Sequence, residues 1–316
     1  MAPEGHLRPN AAPTEIGWPA AAVREATEAV GVSAARARVL RIGHCAAVAL
    51  PDADLVARIG RPGHPLERLA AELRFALYVH DAGIPALRPA VEVADRPIPT
   101  RHGAVTFWPL LRAVAEQTDW AWLGGTLRQL HGLPRCEGIV SLWDPVALVE
   151  ARLAAYAARP EAREEYVSVL SGACAEAREV LASLATRLGV RLVHGDPTNV
   201  IVAEGGPVLL DFDLSGAGPA EWDLVSIAVR QRRFGLPERD LGAASDAYGF
   251  DVRAWPQFRE LLRVRELLDC SFAMSLEGVD SRAREELDVR MHAWLAPADQ
   301  SRWTSLGGNP HALPFY

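Results

Sequence analysis

Lysine is absent from the 316-residue chain, so all 33 basic residues are arginine. A G-x-x-x-x-G-K phosphate loop is thereby excluded, and any cation a site needs is a guanidinium, which meets phosphate with a planar fork. Cysteine is scarce. Cys45, Cys136, Cys174 and Cys270 lie far apart, with no C-x-x-C pair and no histidine at zinc-ligand spacing, and read as buried small hydrophobes. Neither H-E-x-x-H nor G-x-S-x-G occurs, which removes the zinc-protease and nucleophile-elbow readings. No stretch approaches the roughly 18 apolar residues of a membrane helix. The first eighteen residues carry Glu4, His6, Arg8 and three prolines, and lack the apolar centre of a signal peptide. These features predict a cytoplasmic protein with no membrane partner and a disordered tail over residues 1–18. A concentrated basic face is also missing from this chain of net charge −7. Its one cationic run, "RQRRFG" from Arg230, follows a helix and reads as a complement to that helix's C-terminal dipole, which argues against nucleic acid.

Apolar residues make up 49% of the chain, enough for one large core or two modest ones. Richness in Ala, Arg and Gly points to a GC-rich bacterial source. After the tail, a helical pattern from Pro19 to Gly31 gives way to three short apolar runs, "RVLRIG", "AAVAL" and "LVARI", which read as consecutive strands. Pro65 to about Ala82 repeats apolar residues at i, i+3 and i+4, a helix opened by proline and closed before Gly83. "PAVEVA" and "AVTFWPL" read as two more strands. The expectation is an α+β protein of two lobes: a small antiparallel sheet with a helix over residues 19–109, then a larger, mainly helical lobe over 110–316. Helices are predicted at 120–133, 145–157 and 161–188, and again from Glu221. A cleft between the lobes is the expected site.

Between the helical stretches lies "RLVHGDPTNVIVAEGGPVLLDFD", Arg191 to Asp213. A strand ending in His-Gly-Asp puts Asp196 where the backbone leaves the sheet. The next two strands, joined by "EGG", form a hairpin whose first arm starts at Asn199 and whose second ends at Asp211, so the two polar residues lie near each other. Converging amide and carboxylate oxygens suit Mg²⁺, which fills its remaining positions with water and phosphate. A further carboxylate beside it holds a substrate hydroxyl and accepts its proton.

"HGDPTN", "LLDFD" and "EWDL", in this order, resemble the aminoglycoside phosphotransferase and choline kinase-like family, whose two-lobed fold is related to that of the protein kinases. The likeness spans about Arg38 to Met274. It implies an ATP- or GTP-dependent phosphotransferase acting on a hydroxyl of a small molecule such as an antibiotic, sugar or amino alcohol. Asp196 matches the catalytic Asp, Asn199 and Asp211 the metal ligands, Asp223 a buried Asp bracing the catalytic loop, and His194 a structural member of it. The resemblance also implies a cation on the third strand, Arg58 in "LVARIGRP", paired with Glu72 on the following helix and touching nucleotide phosphates. "TFWP" falls at the family's interlobe hinge, where the backbone of Phe107 and Trp108 would hold the adenine edge. "RIGHCAAVAL" would be the phosphate-covering turn, with Gly43 allowing close approach.

One departure stands out. Relatives have four residues between the catalytic Asp and the metal-binding Asn, whereas only Pro197 and Thr198 separate Asp196 from Asn199. At about 3.3 Å per residue the loop loses about 7 Å of contour. Asp213, two residues past Asp211, is a possible substitute ligand, and Thr198 a weaker one. The shortened loop leaves an alternative, a nucleotide-binding protein that has lost catalysis and acts through a partner. Retention of Arg58, Glu72, Asp196 and Asp211 together favours the working enzyme. The acceptor is undisclosed: "RELLRVRELLDC" balances acids with arginines, whereas a polycationic aminoglycoside favours a plainly acidic pocket.

Overall fold

Four strands, β1 (Arg38–Ile42), β2 (Cys45–Leu50), β3 (Leu55–Gly60) and β4 (Val105–Pro109), pair antiparallel in that order. They belong to a computed structural model that describes residues 13–306 apart from 44, 116–117, 137, 139–142 and 297. Every residue of β2 and β3 is buried, so the sheet is covered on both faces. One face packs Val48, Leu50, Ala57, Ile59 and Phe107 against Ala22, Val23 and Ala26 of helix α1 (Pro13–Val30). From the other face Ala47, Val56 and Trp108 join the main core.

Two expectations about this lobe change. Helix α1 starts at Pro13, so residues 13–18 are helical and not part of a tail. The reason is that Trp18, packed against the same core, extends the stripe of Ala22, Val23, Ala26 and Val30 back by one turn. Residues 1–12 lie outside the described residues. "PAVEVA" is not a strand, and the sheet has four strands and not five. Pro89 brings no donor to a ladder, and beyond it Val93 and Ala94 donate their N–H groups back to the Ala90 carbonyl in a turn.

Helix α2 (Leu66–Asp81) follows Pro65 and buries Leu69, Glu72, Leu73, Phe75, Ala76 and Val79. Past β4, residues 110–115 carry the chain from the sheet to the second lobe: Leu110 N–H donates to Asp54 O at 2.8 Å and Val114 N–H to Val202 O at 2.8 Å. Helices α3 (Trp120–Gly132), α4 (Pro145–Ala157) and α5 (Glu164–Ala182) come next. The last is shorter than the predicted 161–188. The buried Glu221 carboxylate takes up the N–H groups of Arg187 and Leu188, which holds that stretch outside the helix.

Strand β5 (Val190–Val193) pairs with a strand the sequence did not suggest, β8 (Gly216–Pro219), while β6 (Val200–Ala203) and β7 (Gly206–Leu209) form the expected hairpin. Helices α6 (Glu221–Phe234), α7 (Glu238–Tyr248), α8 (Phe258–Leu276) and α9 (Ala283–Leu295) complete the larger lobe. Among the described residues, no helix is long and apolar enough to cross a membrane.

Candidate active site

The loop after β5 is fixed from beneath. Asp223, fully buried in the first turn of α6, accepts the backbone N–H groups of His194 (2.8 Å) and Gly195 (2.9 Å) and a contact from His131 Nε2 (3.0 Å). Trp222 Nε1 donates to Gly195 O at 2.8 Å. Gly195 has φ +91°, and a Cβ there would stand 2.2 Å from Leu214 O, so the middle position of His-Gly-Asp admits only glycine. The His194 ring is buried against Phe212, with centroids 4.8 Å apart.

This bracing delivers Asp196 to the cleft. The short segment folds as a turn in which Asn199 N–H (3.3 Å) and Asn199 Nδ2 (3.1 Å) both donate to Asp196 O. Asp196 and Asn199 thus line one cleft despite the missing residues. Thr198 Oγ1 donates to Asp196 Oδ1 at 3.0 Å and itself accepts from Arg230 Nε (3.1 Å) and Nη2 (2.8 Å). Arg265 Nη2 lies 3.4 Å from Asp196 Oδ2. Burial raises the pKa of this carboxyl, but the charges of Arg265 and Arg230 and the Thr198 hydrogen bond outweigh it and hold Asp196 below the usual carboxylate range.

The return arm of the hairpin ends at Asp211, whose φ of +63° is one of two positive values outside glycine among the described residues. Such a conformation costs about 1–2 kcal/mol and terminates β7 before the Asp-Phe-Asp. Arg58, buried in β3, ties the two lobes together here. Its Nη1 bonds Glu72 Oε1, and its Nη2 lies 2.6 Å from Asp211 Oδ1 and 3.5 Å from Asp213 Oδ2. Arg41 Nη2 stands 3.6 Å from Asp211 Oδ2. Burial pushes the Glu72 carboxyl up to about 8, Arg58 offsetting part of the rise while Asp211 and Asp213 add to it. With the Glu72 carboxyl protonated at neutral pH, Asp211 and Asp213 are the carboxylates that face the guanidiniums of Arg58 and Arg41.

The donor atoms that Asn199, Asp211 and Asp213 offer the cleft are all oxygen. Nδ2 of Asn199 is turned to Asp196 O, which leaves its Oδ1 for the cleft beside Asp211 and Asp213. Among the described residues no group of three or more His, Cys, Asp or Glu forms a ready metal cage. The set therefore fits a hard cation that keeps water and phosphate oxygens, and not a fully protein-bound one.

The cleft has a volume of about 340 Å³, with Gly43 and Arg41 at the sheet end, the four polar residues Asp196, Asn199, Asp211 and Asp213 between, and α6 and α8 beyond. A second cavity of about 410 Å³ lies on the α2 side, where Arg68, Glu72 and Trp143 meet Phe212 and Asp213. It lacks Asp196 and Asn199. Of the predicted site residues, Arg58, Glu72, Asp196, Asn199, Asp211, Asp213 and Gly43 converge. Phe107 and Trp108 do not. They lie inside β4, paired with Ala57 and Val56 and buried in two different cores, because the strand runs on through Pro109. The interlobe connection is residues 110–115 instead.

Sequence reasoning missed Arg152, Arg230 and Arg265, which line the cleft from α4, α6 and α8. Arg230 was read as a complement to a helix dipole. It lies inside α6, one turn before the end, with its guanidinium on the Asp196–Asn199 turn.

Residues 37–261 match the Phosphotransferase enzyme family, APH. The chain belongs to that family. No curated protein matches it. Among solved structures this family member is similar to amicoumacin kinase hAmiN in complex with AMP-PNP, Ca²⁺ and Ami (15% identity, TM-score 0.60, covering 86% of this chain and 92% of that one). It is similar also to a choline/ethanolamine kinase family protein from Mesorhizobium loti (18%, 0.56, 87% and 94%). A third is the aminoglycoside phosphotransferase APH(3'')-Id from Streptomyces rimosus (17%, 0.57, 79% and 97%). These likenesses show the fold of the phosphotransferase chain to be the two-lobed, kinase-like one.

Proposed function

We propose that this protein transfers the γ-phosphoryl group of ATP to a hydroxyl of a small molecule, with Mg²⁺ as cofactor. The observation that carries the reading is the convergence of Asp196, Asn199 and Asp211 on one cleft opposite the buried Arg58–Glu72 pair. Asp196 is the catalytic residue. Held ionised by Arg265 and Arg230, it orients the acceptor hydroxyl and receives its proton as the hydroxyl oxygen bonds to phosphorus and the bond from phosphorus to the ADP oxygen breaks. A carboxylate held below its usual range is a weak base, so orientation of the hydroxyl is its larger contribution.

Asn199 Oδ1 and Asp211, with Asp213 as the further oxygen, would hold Mg²⁺, which supplies charge neutralisation across the phosphates. Arg58 and Arg41 keep those carboxylates together, Arg58 with one arm of its fork on Glu72 and the other on Asp211. Gly43 lets the β1–β2 turn come close to the nucleotide. The amicoumacin kinase, solved with AMP-PNP, supports ATP as the donor.

Acceptor-dependent ADP release, followed across a panel of hydroxylated metabolites and antibiotics, tests the reading. Wild type is expected to turn over at least one acceptor. Asp196→Asn is expected to lose about 10²–10⁴-fold in kcat with AMP-PNP affinity within a few-fold. Unchanged turnover in Asp196→Asn would sink it.

A further inference from the structure

At the end of the cleft away from the sheet, guanidiniums outnumber the carboxylates available to them. Arg152, Arg230, Arg265 and Arg290 line this end, together with Asp196 and Asp269. Arg290 is matched by Glu286 at 2.8 Å, and Arg265 lies 3.1 Å from Asp269 and 3.4 Å from Asp196. Arg152 and Arg230 make no ion pair among the described residues. Arg152 has only neutral partners: Nη1 donates to Leu268 O (3.3 Å) and Ser271 Oγ (3.2 Å), and the guanidinium lies 5.3 Å from the Phe272 ring centroid. Arg230 spends Nε and Nη2 on the Thr198 hydroxyl and stacks 4.7 Å over Phe234.

A half-buried cation with no counter-ion is a costly arrangement in an empty protein. Burial pushes the Arg152 guanidinium down to about 10, with Asp213 opposing, so it stays charged at neutral pH. An anion entering the cleft removes that cost. A cationic acceptor would instead meet two guanidiniums that no carboxylate pairs directly. Asp269 adds a second element. Its Oδ2 is buried with no hydrogen-bond partner, an acceptor for a hydroxyl other than the one at Asp196. Leu236, Phe234, Phe272 and Leu306 close the end of a cleft of only about 340 Å³, which also has to admit the phosphates.

We propose that the phosphoryl acceptor is a compact polyhydroxylated anion, its carboxylate or phosphate held by Arg152 and Arg230 while one hydroxyl meets Asp196 and another Asp269. This rests on the phosphotransferase reading above. The transfer step is unchanged: the acceptor's own anion takes no part in bond making and serves to place the hydroxyl.

The test uses four three-carbon alcohols differing in one group: glycerol, 3-amino-1,2-propanediol, glycerate and glycerol 3-phosphate. Each is measured by calorimetric binding to the full chain saturated with AMP-PNP and Mg²⁺, and as acceptor by kcat/KM with ATP. At least one anion is expected to exceed both glycerol and the amine by about tenfold or more. Comparing glycerate with glycerol 3-phosphate decides between carboxylate and phosphate. Arg152→Met and Arg230→Met are each expected to erase most of that advantage, Arg152→Met leaving AMP-PNP affinity within about threefold. The proposal is overturned if the amine or glycerol binds as well as the anions, or if the preference survives in both variants. It is overturned also if Arg152→Met costs AMP-PNP affinity about tenfold, since Arg152 then serves the nucleotide. Wild type that binds no AMP-PNP at all refutes the phosphotransferase reading itself, a failure seen before any acceptor is added.

Discussion

Removing the Asp223 carboxylate tests whether the loop that carries Asp196 is held from below as the structure indicates. In Asp223→Ala three donors inside the protein lose their acceptor: His194 N–H, Gly195 N–H and His131 Nε2. Each buried group left unpaired costs about 1–3 kcal/mol, and with some water entering the vacated space the total comes to about 3–6 kcal/mol. At about 2 °C per kcal/mol for a chain of this size, Tm falls by about 6–12 °C. Asp223→Asn keeps one carbonyl oxygen for one backbone N–H while its amide N–H₂ opposes the other, so about half the loss is expected. Turnover falls with stability, because a displacement of about 1 Å at Asp196 is enough to cost about 10² in rate. Scanning calorimetry and steady-state phosphate transfer on the three proteins are the assays. If Asp223→Ala melts within about 2 °C of wild type while turnover disappears, the bracing argument is wrong and the carboxylate belongs to the chemistry.

Glu72 gives a pH dependence of known sign. Its folded-state pKa is raised from 4.5 to about 8, so the stability it contributes is full below pH 4.5 and is lost as pH rises through 8. Wild type is therefore expected to lose about 1 kcal/mol per pH unit relative to Glu72→Gln across that window, read as a Tm difference between pH 5 and 8. A constant difference would show that Glu72 titrates normally. The short loop supplies the other test. Two residues inserted between Pro197 and Thr198 should cut kcat by about tenfold or more, because Thr198 then leaves both Asp196 and Arg230. A faster lengthened variant beside an inert parent would favour a disabled enzyme.

The parts of the site legible in the sequence are those joined by short-range geometry. Asn199 and Asp211 meet because a four-residue hairpin pairs Val200 with Leu209, and that pairing follows from "EGG" between two apolar runs. Arg58 was legible because a charge inside "LVARIG" interrupts a strand that both faces bury. The hinge was misplaced by a few residues because nothing local ends β4: Phe107 and Trp108 are as apolar as the strand they continue, and only the Asp54 and Val202 contacts show where the chain crosses.

The cationic end of the cleft was illegible for a different reason. Within "RQRRF" Arg230 and Arg233 stand only about 60° apart around the helix, yet Arg230 meets Thr198 while Arg233 is buried on Glu266. Which of the two enters a site is decided by α8 and the Asp196–Asn199 turn, 33 and 32 residues away in sequence, and not by the run itself. Longer separations hide Arg265 and Arg152, 69 residues from Asp196 and 116 from Leu268, ordinary helix residues until α4, α6 and α8 bring them to one cleft. A lysine-free chain makes this harder to read, since each of its 33 cations has the same side chain whether it pairs on the surface or waits in a pocket. It also changes what the site does with a cation. Arg58 reaches Glu72 through one arm of its fork and Asp211 through the other, joining helix, strand and the Asp-Phe-Asp segment with a single rigid group. One ammonium on a flexible stem has no such pair of arms, so here the identity of the cation, and not only its charge, sets how the two lobes are coupled.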